Sequence, residues 1–467
     1  MLSPAQPSRL LARFIAGTRP ADLPDALLLK AKRHTLDTLA CGVAGACSAE
    51  GAALLATLLA SEPTGDQPVW GTARRLGARS AALVNGTACH AFELDDTGGC
   101  DHSGAVVLPA AVAALGLADR PVSGLEFLTA VVLGYDVARR VLEACGAYRP
   151  HNEAGWHSTA TCGVFGAAAA AARILGLSED AIIHALGHAA SFSGGLWAFI
   201  HDGSQTKRIH TGRAAEGGLL AALAARGGLS GPSRVFEDVW GGFLRSFAPQ
   251  SAVPDALTVG LGEGWGEGWR LERVAIKPHA SCRGTHSAID ALGALIHAHG
   301  LEAGDVERIR VRAPAFLVGM CGGRDASGLA AAQMSLPYAL ALRLRLGAVG
   351  LDGFRAEIRR DPAVLAMMER VTLDSDPALG GSEEPFVTVE TTDGRSLSHR
   401  VTDPLGSPTN PLPAADHALK VRRLAAMTLD AAAVEGLVAA IDGLDDEADV
   451  RGLGERLRAA APPRPFR

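Results

Sequence analysis

The 467-residue chain has eight cysteines but no CxxC pair. Zinc ribbons, dithiol redox motifs and a disulfide framework therefore find no support, and the thiols are read as reduced. It has no long Lys/Arg run, and its net charge is −6 with a pI near 6.2. That balance excludes a nucleic-acid protein and a binder of anionic membranes. No apolar run is long enough to span a bilayer. MLSPAQPSRLLARFIAGTRP breaks its short apolar stretch with Arg9 and Arg13, and AVVLPAAVAALGL carries Pro109. Without a signal peptide or a membrane span, the expected location is the cytoplasm. There is no GxGxxG after a strand, no Walker loop, no HExxH and no repeat of fixed period.

What is present is enough chain for two domains. From Pro24 to about Ala225 the sequence runs through Ala/Leu/Gly-rich segments with helical spacing, among them ALLLKAKRHTLDTLACGVAG, GLEFLTAVVLGYDVARRVLEA and TCGVFGAAAAAARILGL. Several are apolar around nearly their whole circumference, which places them in an interior. After Gly262 the pattern changes. WRLERVAIKPHASC and VERIRVRAPAFLV read as strands, and EPFVTVETTDGRSLSHRV reads as two strands joined at Asp393–Gly394. Two helical patterns, GTHSAIDALGALIHAHG and MSLPYALALRLRLGAVG, lie between them. The chain returns to helix from 414, docking back on the first helices, and its PPRPFR end is expected to fray. The fold expected is mainly α with an α+β second domain.

Five stretches could carry chemistry. HDGSQTKRIHTGRAAE (201–216) gathers Lys207, Arg208, Arg213, His201 and His210. A helix starting near Ser204, capped by Asp202 or Ser204, would put Lys207, His210 and Arg213 on one face and its free N–H groups toward a carboxylate. In isolation such a segment is more often a solvated face. HAFELDDTGGCDHSGAVVLP (90–109) places Glu93, Asp95, Asp96 and His102 beside Thr97 and a glycine-rich turn, a set suited to acid–base work. The plainer reading is that the aspartates cap the next helix and His102 is a satisfied loop histidine. A metal site built on DDxxxxDH lacks matching ligands elsewhere. GWHSTATCGVFG offers His157 at a helix start, and His184 with His188 forms an i, i+4 pair that lacks an acidic partner. IKPHASCRGTHSAID brings Lys277, His279, Cys282, Arg283 and His286. Cys282 as a nucleophile has no hydrolase context around it. SLPYALA puts Tyr338 at a helix start, where a buried phenol bound to a neighbour is the plain alternative.

Taken in order, HAFELDDT, HSGAVVLPAA, GWHSTATCGVFGAAAAAARILGL, DGSQTKRIHTGRAAEGGLLAALAARGGLSGP, KPHASCRGTHSAIDA, SLPYALA and SPTNPL resemble the MmgE/PrpD family of 2-methylcitrate dehydratases, cis-aconitate decarboxylases and iminodisuccinate epimerases. The resemblance implies a large all-helical domain built from both chain ends, residues 1–264 and 405–467. It also implies a smaller α+β lid, 265–404, and a homodimer without metal or organic cofactor. It assigns active-site places to Glu93, Thr97, His102, His157, Lys207, Lys277 and Tyr338. Family members commonly have Asp where this chain has Glu93 and Pro where it has Ser103 and Ser158. Cys282 stands where the animal decarboxylases have an active-site histidine, a departure that points away from cis-aconitate decarboxylation.

The chemistry so implied passes through negative charge beside a carboxylate, which positive groups must meet. Lys207 and Lys277, with Thr97 and the helix start near Ser204, are expected to clamp the carboxylates of a small di- or tricarboxylate, with Cys282 nearby. His102 is the first choice for moving the proton, supported by Glu93, with Tyr338 or His157 as second partner. The expected activity is a cofactor-independent lyase of the 2-methylcitrate dehydratase type. An iminodisuccinate-type epimerase and a non-catalytic carboxylate-binding protein are the alternatives. The site is expected between the helical domain and the lid.

Overall fold

The computed structural model describes residues 6–261 and 268–466, so the expected boundary near 264 lies outside the described residues. The longer helices that build the core of the first part are α1 (Pro7–Gly17), α2 (Asp25–Gly45), α3 (Ala78–His90), α4 (Ser103–Leu115), α5 (Gly124–Ala144), α6 (Gly163–Ile174), α7 (Glu179–Ser191) and α8 (Thr206–Arg226). Ser123 and Glu126 close a capping box at the start of α5, and Ser178 caps α7. Every residue of α4 is buried, Pro109 included, as expected of a core helix. No single described helix is long and apolar enough to cross a membrane.

Small residues set the spacing of this layer. α3 crosses α8 at Gly86 and Gly212, where a Cβ on Gly86 would lie 2.7 Å from the Gly212 Cα. α5 meets α6 at Gly134 and Gly166, and a Cβ on Gly166 would lie 2.4 Å from the Gly134 carbonyl oxygen. Backbones that close exclude any larger side chain, so the Ala/Gly richness is a packing requirement.

Two short strands tie this part to the next. β1 (Asp96–Thr97) pairs antiparallel with β2 (Ala275–Ile276), Asp96 opposite Ile276 and Thr97 opposite Ala275. Beyond β2 come α9 (His286–His299), β3 (Val306–Ala313), α10 (Leu336–Leu346), β4 (Val371–Ser375), β5 (Phe386–Thr391) and β6 (Ser396–Arg400). The last four strands form one sheet in the order β4-β3-β5-β6, with β3–β4 parallel and the other pairs antiparallel. Gly394, at φ +85°, makes the β5–β6 turn where Asp393–Gly394 announced one. β4 carried no recognisable pattern, because only its first residue is fully buried.

The chain end returns as α11 (Ala414–Ala425) and α12 (Ala431–Asp442), packed against α2. Lys420 Nζ lies 3.0 Å from Asp37 Oδ2 and 2.6 Å from the Leu94 carbonyl oxygen, pinning the 90–97 loop. Where its prolines suggest a frayed end, the tail has anchoring contacts at Phe466. The Phe466 N–H donates to Cys47 O at 2.8 Å and its ring packs on Phe92, because an aromatic burial outweighs the entropy of a short tail.

Gly212→Ala would set its methyl 2.0 Å from the Leu83 carbonyl oxygen, so the variant is expected to lose about 1–3 kcal/mol. Gly436, inside α12, has nothing within 4 Å of where a Cβ would stand. Its replacement by Ala should gain about 0.5–1 kcal/mol. Denaturant midpoints of the two variants measure both signs.

Candidate active site

The loop after α3 turns back through Glu93, whose φ of +50° is a left-handed conformation rare for a side chain of that size. The turn aims its carboxylate into the protein. Lys207, in the first turn of α8, donates to Glu93 Oε1, and Arg208 Nη1 reaches the same oxygen at 2.9 Å. Lys277, just after β2, lies 3.0 Å from Oε2. Arg208 Nη2 also donates to Gln333 Oε1 at 2.9 Å, and the Gln333 amide holds the carbonyls of Phe92 and Ala280. Glu93, Lys207, Arg208 and Lys277 are all buried. Burial alone would push the Glu93 pKa up, but Lys207, Lys277, His90 and Arg208 outweigh it and hold the group well below the usual carboxylate range. Lys277 is likewise raised: burial lowers it, and Glu93 and Asp95 more than compensate.

Next to this hub stands His102, at the N-terminus of α4. Its Nδ1 lies 3.1 Å from Asp95 Oδ2 and 3.0 Å from the Asp96 carbonyl oxygen; its Nε2 lies 3.4 Å from Asp101 Oδ2. The Thr97 hydroxyl donates to Asp101 Oδ1 at 3.0 Å. Burial works against the charged imidazole, but Asp101 and Asp95 prevail and raise the His102 pKa. His90 packs against it, the rings tilted by 43° with centroids 4.0 Å apart. Burial and the neighbouring His102 push His90 down to about 3, so it is neutral. Asp96 follows the plainer reading: its carboxylate accepts from the Gly104 N–H at 3.1 Å and the Tyr135 hydroxyl at 2.6 Å, capping α4.

Glu93, Thr97, Asp101, His102, Lys207 and Cys282 share the wall of one cavity of about 680 Å³. That volume suits a small molecule. Arg139 and Arg283 on the wall are engaged by Glu143 and Glu384. Arg273, exposed on the rim, has no carboxylate partner among the described residues. Cys282 sits against Cys321. The hydrogen bond from that thiol lowers the Cys282 pKa against the effect of burial, with Lys207 assisting.

Other expected members lie elsewhere. Tyr338 is off the cavity wall: its hydroxyl donates to Gly353 O at 2.8 Å and its ring packs on Phe354, the plain alternative for a buried phenol. Ser204 also misses this wall. Asp202 Oδ1 accepts the Ser204 N–H in a local turn, α8 starts later at Thr206, and its N-cap Gln205 makes no side-chain bond. Ser204 instead borders a second cavity of about 240 Å³ on the far side of Lys207 and Arg208. His157 lies behind the wall, Nδ1 to Nδ1 with His210 at 3.0 Å, its ring centroid 6.5 Å from that of His102. Burial, His210 and Lys207 hold it well below the usual imidazole value. Arg213 points outward and pairs with Glu216, so only Lys207 and His210 of the expected face turn inward. His184 and His188 each bind a backbone carbonyl, of Gly231 and Leu229.

Among the described residues, three groups of donors come within 4.8 Å of one another: His90, Asp95 and His102; Asp101, His102 and His157; and Cys145, His151 and Cys162. In the first, the imidazoles already share the Asp95 carboxylate. All eight cysteines are buried free thiols. Sequence reasoning puts Asp95 in the acid–base set and Arg208 in the basic cluster, at most as support for the shell, without naming either as a catalytic or binding residue. It misses His90 and Arg273, which lack any local mark of their partners.

Glu93→Gln would leave three buried cations around a neutral amide, and is expected to cost about 3–5 kcal/mol. Glu153→Gln, which breaks an exposed pair with Arg149, should cost less than about 1 kcal/mol. Denaturant titration separates the two. Because the Glu93 pKa is depressed by folding, its contribution is present above the ordinary glutamate value and is lost on acidification. The gap between wild type and Glu93→Gln should therefore narrow only as pH falls below the ordinary glutamate value toward the depressed one.

Comparison with known proteins identifies the family. The MmgE/PrpD N-terminal domain model matches residues 9–254 and the MmgE/PrpD C-terminal domain model residues 279–446. The chain is 32% identical to a cis-aconitate decarboxylase-like protein of Aspergillus oryzae, over 95% of each chain. It is 29% identical to the cis-aconitate decarboxylase of Aspergillus terreus, over 93% of this chain and 92% of that one. Identity to the human cis-aconitate decarboxylase is also 29%, over 97% of this chain and 94% of that one. With both models matched in order over most of its length, the chain belongs to the MmgE/PrpD family of enzymes.

Proposed function

We propose that the protein is a lyase that decarboxylates a small unsaturated tricarboxylate of the cis-aconitate kind. The observation that carries this reading is an imidazole, His102, flanked by Asp101 and Asp95 that raise its pKa, on the wall of a cavity that also presents Lys207 and Arg273. Loss of CO2 from a β,γ-unsaturated acid breaks one C–C bond and leaves the electron pair in an allylic carbanion. The remaining requirement is a proton. His102 Nε2–H supplies it, a new C–H bond forms, and the imidazole recharges from water. Of the three cations around Glu93, Lys277 and Arg208 stand off the cavity wall, while Lys207 lies on it with Arg273, and positive charge there lowers the energy of the carbanion. The Thr97 hydroxyl and Arg273 receive substrate carboxylates. The relatives named above support the same reaction, against the departure at Cys282.

Dehydration of the 2-methylcitrate type is the second reading, favoured by one observation. It needs a base and an acid together, and Asp101 stands 3.4 Å from His102 Nε2 on the same wall.

Proton NMR of products formed in D2O from cis-aconitate, 2-methylcitrate, citrate, malate and iminodisuccinate tests both. Decarboxylation gives a shortened alkene with deuterium at the new C–H bond, dehydration gives an alkene of unchanged carbon count, and epimerisation gives deuterated stereoisomers. No turnover of cis-aconitate by folded protein would overturn the first reading. His102→Gln should lower kcat about 10²–10⁴-fold, whereas Arg273→Ala should act mainly on KM. Because the His102 pKa is raised, the donor form persists past the ordinary imidazole range. kcat/KM should fall only as pH rises above about 6.5, and a pH–rate profile locates that limb.

A further inference from the structure

Asp95 is fully buried and absent from the cavity wall, yet it binds two imidazoles at once. His90 Nδ1 lies 3.0 Å from Asp95 Oδ1, and His102 Nδ1 lies 3.1 Å from Asp95 Oδ2. His102 therefore has a carboxylate at each nitrogen, and the two differ in freedom. Asp101, at Nε2, sits on the wall and also holds the Thr97 hydroxyl, so an arriving substrate carboxylate can displace it. Asp95 has no such exit. His90, itself neutral, donates to it from the end of α3, and no solvent reaches it.

The geometry points to Asp95, anchored by His90, as a positioning residue that keeps the second proton of His102 on Nδ1 and so leaves the Nε2–H to the substrate. A carboxylate fixed at Nδ1 holds one tautomer and stabilises the charged ring. After Nε2 has given up its proton the neutral ring keeps its Nδ1–H, and Nε2 is the atom that recharges. Other groups face the ring as well. Asp101 adds to the effect of Asp95, and the Asp96 carbonyl accepts from Nδ1. Lys277, beyond β2, opposes both. His157, 6.5 Å away, is neutral, the Thr159 hydroxyl accepts the His102 backbone N–H, and Lys207 reaches the site through Glu93.

This inference rests on His102 being the donor, and its test has an arm that needs no substrate. In 15N-histidine-labelled protein, the His102 ring signals are those missing from His102→Gln. In wild type they should show a charged ring at neutral pH and, above its pKa, a neutral form protonated on Nδ1. A wild-type neutral form protonated on Nε2 would overturn the proposal without any variant. In Asp95→Asn the His102 pKa should fall by about one unit or more, while the Asp96 carbonyl still accepts from Nδ1. On cis-aconitate, Asp95→Asn should lower kcat about 10²–10³-fold with KM changed less than about threefold, and Asp95→Glu should restore part of it. An unmoved His102 titration in Asp95→Asn, or a loss confined to KM, overturns it. If no tricarboxylate is turned over, the functional reading falls while the ring spectra still decide the role of Asp95.

Discussion

A single carboxylate shared by three cations holds the site together. Glu93 comes from the loop after α3, Lys207 and Arg208 from the start of α8, and Lys277 from the far end of β2. Each of those charges would be very costly to bury alone. Together they satisfy one another, and they also stabilise a left-handed Glu93 that would otherwise be strained by about 1–3 kcal/mol. The short β1–β2 pairing and the Gln333 amide bracket the same point. Helical bundle and sheet-containing part are therefore linked through charge rather than through apolar contact alone.

That arrangement divides the labour among four acidic groups in one loop. Glu93 fixes the cations, Asp96 caps α4, Asp95 orients His102, and Asp101 meets both the imidazole and the Thr97 hydroxyl on the cavity side. Neighbouring carboxylates thus hold different partners, and partners decide roles. His102 is pushed up while His90 and His157 are pushed down within one cluster for the same reason.

Much of the fold was legible beforehand. Ala/Gly-rich helical spacing located the bundle, and the alternation in VERIRVRA and the Asp393–Gly394 turn located three of the four sheet strands. The stretches holding Glu93, Thr97, His102, Lys207, Lys277 and Cys282 were also visible as clusters of reactive side chains. Tyr338 and Ser204 were placed with them in advance, and the structure turns both to other partners. The sequence does not promote Arg208 with Lys207 although the two are equally buried, because a helix period assigns faces only once the packing on every side is known.

By itself the sequence determined the elements and the inventory of chemistry, since helix, strand and turn depend on neighbours a few residues apart. Only the tertiary structure decided which charges meet. Glu93 and Lys277 are 184 positions apart, and Glu93 and Arg208 are 115 apart. Such pairings arise from how helices and strands close on one another, and the protonation state of each group follows from that closure.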